Sequence, residues 1–271
     1  MANSPQHDGR AASANEPGLH AREVRVSYDR REVLHEVDLG ITPGTFTAII
    51  GPNACGKSTL LRSMARVLPL AGGMITLDGD EIHRLPSRKL ALRLGLLPQT
   101  ATAPDGITVA DLVPRGRSPH TGPLRQWSND DEAAVSAALR ATGVTELAQA
   151  RVDELSGGQR QRVWIALLLA QQTEYMLLDE PTTYLDVSHQ FEVLRLLQGF
   201  KRDGKTVVTV LHDLNQAARF ADRLVAMKDG RVVSQGTPAE VLTADLVQDV
   251  FGMSCLVVPD PVTGTPMMVA R

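Results

Sequence analysis

The sequence predicts an α/β fold, a sheet-based core interrupted by one helical block. Three observations carry this. Short apolar, β-branched runs recur along the chain with helical stretches between them. One run, Phe46 to Ile50, leads directly into a glycine-rich loop and an amphipathic helix. From about Thr108 to Ala170 strand signals give way to helical ones, and strands resume at Tyr175. Mixed strands and helices around an inserted helical segment suit a core with a helical subdomain.

In chain order, residues 1–19 are polar, small and turn-prone, without the apolar centre of a signal peptide, and read as a disordered tail. Glu23 to Tyr28 and Val33 to Leu39 read as strands around the polar turn Asp29-Arg30-Arg31. Lys57 to Val67 has helical spacing, with Leu60, Leu61, Met64 and Val67 on one face. Met74 to Leu77 and Gly95 to Leu97 are strands. Asp130 to Ala141 and Gly158 to Leu169 are the clearest helices of the inserted block. Strands return at Tyr175 to Leu178, Val207 to Leu211, Leu224 to Lys228 and Arg231 to Gln235.

Composition sets limits. The 271 residues, 43% hydrophobic and 22% charged, are enough for a buried core. A net charge of −3 argues against nucleic-acid binding by bulk charge. The apolar run Val163 to Ala170 is eight residues long, against about 20 for a bilayer span. Two cysteines, Cys55 and Cys255, cannot build a disulfide scaffold and suit a reducing cytosol.

Gly51-Pro52-Asn53-Ala54-Cys55-Gly56-Lys57-Ser58 fits G-x-x-x-x-G-K-[ST], with a strand before it and a helix after it. Glycines let the backbone curl so that successive N–H groups face one centre, and the following helix adds its positive end. Lys57 would place a cation among the phosphates, and the Ser58 hydroxyl would bind Mg²⁺. Tyr175 to Glu180 is an apolar strand ending in two acids, at the sheet edge where α/β proteins bind ligands. Asp179 would hold Mg²⁺ and Glu180 would polarise the attacking water. The two motifs define a nucleotide triphosphatase or a kinase without choosing between them.

Leu155-Ser156-Gly157-Gly158-Gln159 makes the choice, 23 residues (Ser156 to Asp179) before the acidic strand end. Ser156 is a natural N-cap, which leaves the N–H groups of Gly157 and Gly158 uncovered for a second phosphate contact. With this motif the chain resembles the ATPase subunits of ATP-binding cassette (ABC) transporters over nearly its whole length. The resemblance implies a P-loop NTPase (RecA-like) core with an N-terminal antiparallel β subdomain and an inserted α-helical subdomain. An ABC ATPase domain over 20–271 would divide into a core of 20–100 and 170–271 and a helical part of about 101–169. It implies ATP and Mg²⁺ as cofactors and a homodimer sandwiching two ATP molecules head to tail. Each signature Ser156 to Gln159 would close on the phosphates held by Gly51 to Thr59 of the other chain. By the same resemblance Tyr28 stacks on adenine, Gln99 contacts Mg²⁺ or water, Leu185-Asp186 crosses the dimer interface and His212 contacts the γ-phosphate.

Gly116-Arg117-Ser118-Pro119-His120, Leu178 to Gln190, Val210 to Ala217 and Asp260 to Pro266 resemble the iron–siderophore and vitamin B12 importer branch, the catecholate-siderophore type in particular. That resemblance implies two membrane permease subunits, indirectly a substrate-binding protein, and a peripheral place on the cytoplasmic face of the membrane. Cobalamin, haem or a metal ion are the alternative cargoes. A soluble ABC ATPase of repair or translation would carry long coiled coils, a second cassette or basic surfaces; a kinase or GTPase would lack the signature. Gln99 to Arg117 is the expected permease-docking surface, with charge reversal at Arg115 and Arg117 expected to uncouple transport. Three residues depart from the family pattern. Ala54 stands where glycine is usual, and if its φ is positive it costs about 1 kcal/mol or more. Tyr184 replaces a small residue. Cys55 lies in the phosphate loop, where a thiol reagent would block ATP if the thiol were exposed.

Overall fold

The computed structural model describes residues 17–29, 31–121 and 127–271. Strands β1 (Leu19–Tyr28) and β2 (Arg31–Ile41) form an antiparallel pair. After β3 (Phe46–Ile50) and α1 (Lys57–Met64), β4 (Gly72–Leu77) pairs with β1, and β5 (Asp80–Glu81) completes a four-stranded antiparallel sheet. Then come α2 (Ser87–Ala91), β6 (Leu94–Leu97), α3 (Val109–Leu112), a 3₁₀ turn Val113–Arg117, α4 (Asn129–Ala141) and α5 (Gly157–Ala170). The chain re-enters the core with β7 (Tyr175–Leu178), α6 (Val187–Arg202), β8 (Thr206–Val210), α7 (Leu214–Phe220), β9 (Arg223–Lys228) and β10 (Arg231–Gly236). It ends in α8 (Pro238–Val241), α9 (Ala244–Phe251) and the hairpin β11 (Cys255–Pro259) and β12 (Pro266–Ala270).

The second sheet has the order β10-β9-β3-β8-β7-β6. It is parallel from β9 to β6, and β10 adds an antiparallel edge. β3 sits inside it, which explains why its five residues are all buried: a central parallel strand is covered on both faces. Phe46, Ala48 and Ile50 face one core, with α6, α7 and the C-terminal elements; Ile49 faces the other, with α1 and the antiparallel sheet. A third cluster, around Val109, Val113, Val135, Val163 and Ala166, is the centre of the helical block.

Most elements fall where the sequence places them, with three differences. Residues 17–19 belong to the fold: Leu19 opens β1 and is fully buried, and the Gly18 N–H donates to Asp78 Oδ1 at 2.7 Å. The rest of the anticipated tail, 1–16, lies outside the described residues, as does Arg30 of the first turn. Helix α1 stops at Met64, so Val67 is 59% exposed instead of joining Leu60, Leu61 and Met64 in the core. Arg66 takes φ 57° there and spends its guanidinium on Ile82 O, Leu85 O and Ser87 Oγ, which turns the chain out of the helix.

The third difference concerns the expected docking surface. Arg117 is 3% exposed. Its Nε donates to Asp131 Oδ1 at 2.8 Å, and Nη1 donates to Ala170 O and Gln172 Oε1. Arg117 therefore belongs to the interior of the helical subdomain, and reversing its charge tests folding, not coupling. Arg115 is exposed, as are Gln99, Thr100 and Pro104 to Gly106, so the accessible part of the stretch is smaller than the sequence suggests. Gly116 explains the burial: a Cβ there would lie 2.2 Å from Leu167 O, so only glycine lets the turn meet the backbone of α5.

Candidate nucleotide-binding and hydrolysis site

Four distant segments leave the carboxyl ends of four neighbouring strands. The glycine-rich loop follows β3, His212 follows β8, Asp179-Glu180 follow β7, and Gln99 follows β6. Parallel registers Ile49 with Val210, Leu178 with Thr209, and Leu97 with Leu178 put these ends level. This is the edge of an open α/β sheet where ligands bind.

The loop Gly51 to Gly56 curls through positive φ at Gly51 (153°), Ala54 (62°) and Gly56 (102°). At Gly51 a Cβ would come 2.3 Å from Met227 O. Ala54 occupies the left-handed region that its sequence context predicts, at about 1–2 kcal/mol for an L-residue. Lys57 is buried and donates through Nζ to Gly51 O (2.8 Å) and Pro52 O (2.7 Å), which ties its charge to the loop's own carbonyls. Cys55 is 5% exposed, and burial pushes its thiol up from the ordinary value, so the exposure on which a reagent block depended is absent. Asn53, Ala54, Gly56, Lys57, Ser58 and Thr59 line a cleft of about 570 Å³ with Tyr28 and Glu180. Pro52 is partly exposed beside it.

Ser58 Oγ donates to Asp179 Oδ1 at 2.7 Å. Asp179 is 1% exposed, and its second oxygen, Oδ2, accepts no hydrogen bond from the described residues; the Arg62 guanidinium lies 3.3 Å away. Burial raises the Asp179 carboxyl, against the opposing pull of Ser58 and Arg62. A hydroxyl beside a half-unpartnered buried carboxylate fits a hard divalent cation such as Mg²⁺, which prefers oxygen and few protein ligands. Gln99 is brought elsewhere: its Nε2 donates to Glu180 Oε2 at 2.6 Å.

Glu180 is the meeting point. His212 Nε2 lies 2.7 Å from Oε1, and Thr183 Oγ1 donates to Oε2 at 3.1 Å. Its backbone has φ 53°, and such strain persists where the surroundings over-determine it. Thr183 escaped the sequence reading; a Thr after an acidic strand end has no signal beyond its spacing. Asp229, Gly230, Arg31, Glu32, Val33 and His35 also line the cleft unforeseen. The dipeptide Asp229-Gly230 signals a turn, but only the pairing of β9 with β3 brings that turn to the loop, where Gly230 N donates to Cys55 O.

The signature helix stands apart. Ser156 caps α5: Gln159 N donates to Ser156 Oγ, and Ser156 N to Gln159 Oε1. Ser156, Gly157, Gly158 and Gln159 are not among the residues lining the cleft of their own chain. Tyr184, beside them, has φ 64° and is 94% exposed.

A P-loop core, an antiparallel sheet and a helical insertion carrying a separate signature define an ATP-binding cassette. A family model described as ABC transporter matches residues 34–183, and the chain belongs to that family. It is of the ATP-binding subunit class, which hydrolyses ATP to power transport. The chain is 50% identical over 252 residues to the ferric enterobactin transport ATP-binding protein FepC of Escherichia coli (strain K12), 93% of each chain. It is 51% identical over 247 residues to a siderophore transport system ATP-binding protein, YusV, of Bacillus subtilis (strain 168), covering 91% of this chain and 90% of that one. In solved structures it is similar to an inward-facing metal-chelate type ABC transporter, with a TM-score of 0.81 and 26% identity, covering 94% of this chain and 97% of that one.

Proposed function

We propose that this subunit powers import of a ferric siderophore, with Glu180 as the residue that activates water. The convergence of Gln99, Thr183 and His212 on the Glu180 carboxylate is the observation that carries the catalytic reading. A carboxylate held by three side chains is oriented before substrate arrives, which is how positioning lowers a barrier. In this reading Tyr28 stacks the adenine and Gly51 to Thr59 wrap the phosphates, with Lys57 exchanging loop carbonyls for phosphate oxygens. Ser58 and Asp179 hold Mg²⁺, which supplies charge neutralisation at the phosphates. Gln99 reports on Mg²⁺ or water from its seat on Glu180. His212 shares the Glu180 proton network and reaches the γ-phosphate. Exchanging Glu180 for Gln is expected to cut kcat by more than about 100-fold. It should also yield a dimer on gel filtration with ATP and Mg²⁺; a monomer there counts against the scheme.

The dimer is part of the proposal. Ser156 to Gln159 present an N-terminal helix end away from their own cleft, which suits phosphates held by a second copy. Two permease subunits would meet the accessible surface from Gln99 to Gly106 and Arg115, at the cytoplasmic face of the membrane, with a substrate-binding protein on the far side. None of the helices among the described residues is long and apolar enough to cross a membrane. Identity near 50% to siderophore transport subunits supports the cargo. Deleting the gene should abolish ⁵⁵Fe-siderophore uptake. Intact iron uptake with lost haem or cobalamin uptake would reassign the cargo.

A further inference from the structure

His212 is held on one side only by its strand: Leu211 N donates to Ile49 O at 3.1 Å. On the other side it runs into α7, a helix of seven residues. Two turns of helix do not hold themselves in water, so something outside must fix α7. Asp213 caps it, and Gln216 reaches Gln190 Oε1 on α6 at 2.7 Å. Its apolar face, Leu214, Ala217, Ala218 and Phe220, is buried in the main core, and further polar ties run to the C-terminal hairpin. Asn215 Nδ2 donates to Met268 O at 3.0 Å, and Met268 N donates to Asn215 Oδ1 at 2.7 Å. Met268 stands opposite Val257 in the hairpin. With both its backbone groups turned outward, Met268 occupies a non-hydrogen-bonded position of the ladder, and the Asn215 amide pairs with it as a neighbouring strand would. One turn further on, Arg219 lies 3.7 Å from Asp260 at the hairpin's bend, and its guanidinium sits 5.5 Å above the Phe191 ring. Val257 and Met268 pack against the main core, so the hairpin is itself anchored.

We propose that Asn215 is a positioning residue: its amide clamps the start of α7 to β12, and so fixes the direction from which His212 addresses Glu180. The proposal rests on the reading of His212 as part of the hydrolytic site. Asn215 touches neither Glu180 nor the cleft, so its effect passes through His212. The test compares steady-state ATP hydrolysis by the full-length protein carrying Asn215→Ala, Asn215→Asp, His212→Ala, and Asn215→Ala with His212→Ala. Asn215→Asp keeps the acceptor for Met268 N–H and loses the donor to Met268 O. Asn215→Ala is expected to lower kcat about tenfold with KM for ATP within about twofold, since a small misplacement of a reacting group costs rate before affinity. Asn215→Asp should fall between it and the wild type. In the double variant kcat should match His212→Ala within about twofold, because coupled residues are not additive. An unchanged kcat in Asn215→Ala, a double-variant loss equal to the product of the two single losses, or failure of both Asn215 variants to fold would overturn the proposal. A wild-type kcat in His212→Ala would overturn the site reading, and the proposal with it.

Discussion

At the residue scale, backbone conformation and burial decide what each side chain of the loop contributes. Ala54 sits at φ 62° in a turn that glycine would occupy without strain. Ala54→Gly is expected to retain ATP binding and raise stability by about 1 kcal/mol, read from denaturant unfolding with and without nucleotide. Absence of ATP binding by the wild type would contradict the tolerance of alanine here. Cys55 should react with iodoacetamide only after unfolding, because it is buried and its thiol is shifted away from the thiolate. Asp131 gives a pH signature. The Ser128 hydroxyl, and then the Arg117 guanidinium, hold its carboxyl down to about 2. The fold favours its ionised form, so the contribution is complete above the ordinary carboxylate range and is lost as pH falls through about 2. The Tm gap between wild type and Asp131→Asn should therefore narrow on acidification from about pH 5. A constant gap would remove this role.

At the element scale, the helical subdomain is held together where the sequence suggested a partner surface. Gly116 lets the 3₁₀ turn touch α5, and Arg117 then binds Asp131 at the start of α4 and Ala170 at the end of α5. Removing one partner of a buried, hydrogen-bonded ion pair strands the other. Arg117→Glu should lower Tm by about 5 °C or more, and Arg115→Glu by less than about 2 °C, in thermal unfolding of the purified protein. Only the exposed Arg115 remains a probe of coupling. Residue type could not separate the two arginines, which flank Gly116, because burial depends on where α4 and α5 come together. For the same reason the end of α1 was not legible. Val67 continues the apolar period of Leu60, Leu61 and Met64, but Arg66 finds three acceptors in the Ile82 to Ser87 segment and leaves the helix.

At the scale of the whole molecule, function depends on strand order. The phosphate loop, His212, Asp179-Glu180 and Gln99 are spread over more than half the chain, yet β3, β8, β7 and β6 lie side by side. Their parallel pairing puts all four carboxyl ends on one edge of the sheet. In the proposed dimer the signature at Ser156, which does not line the cleft of its own chain, would meet the phosphates of a second copy. The sequence by itself determined the α/β class, the phosphate loop, the acidic strand end and the capped signature helix. Each is a local pattern, in which residue type and spacing over a few positions dictate backbone conformation. Only the tertiary structure decided that Arg117 is interior, that Thr183 and Gln99 share Glu180, that Gly230 closes on the phosphate loop, and that a C-terminal hairpin grips the helix behind His212. Apart from the local bond of Thr183 to Glu180, these are contacts between segments far apart in the chain, fixed by packing and strand pairing that no local pattern encodes.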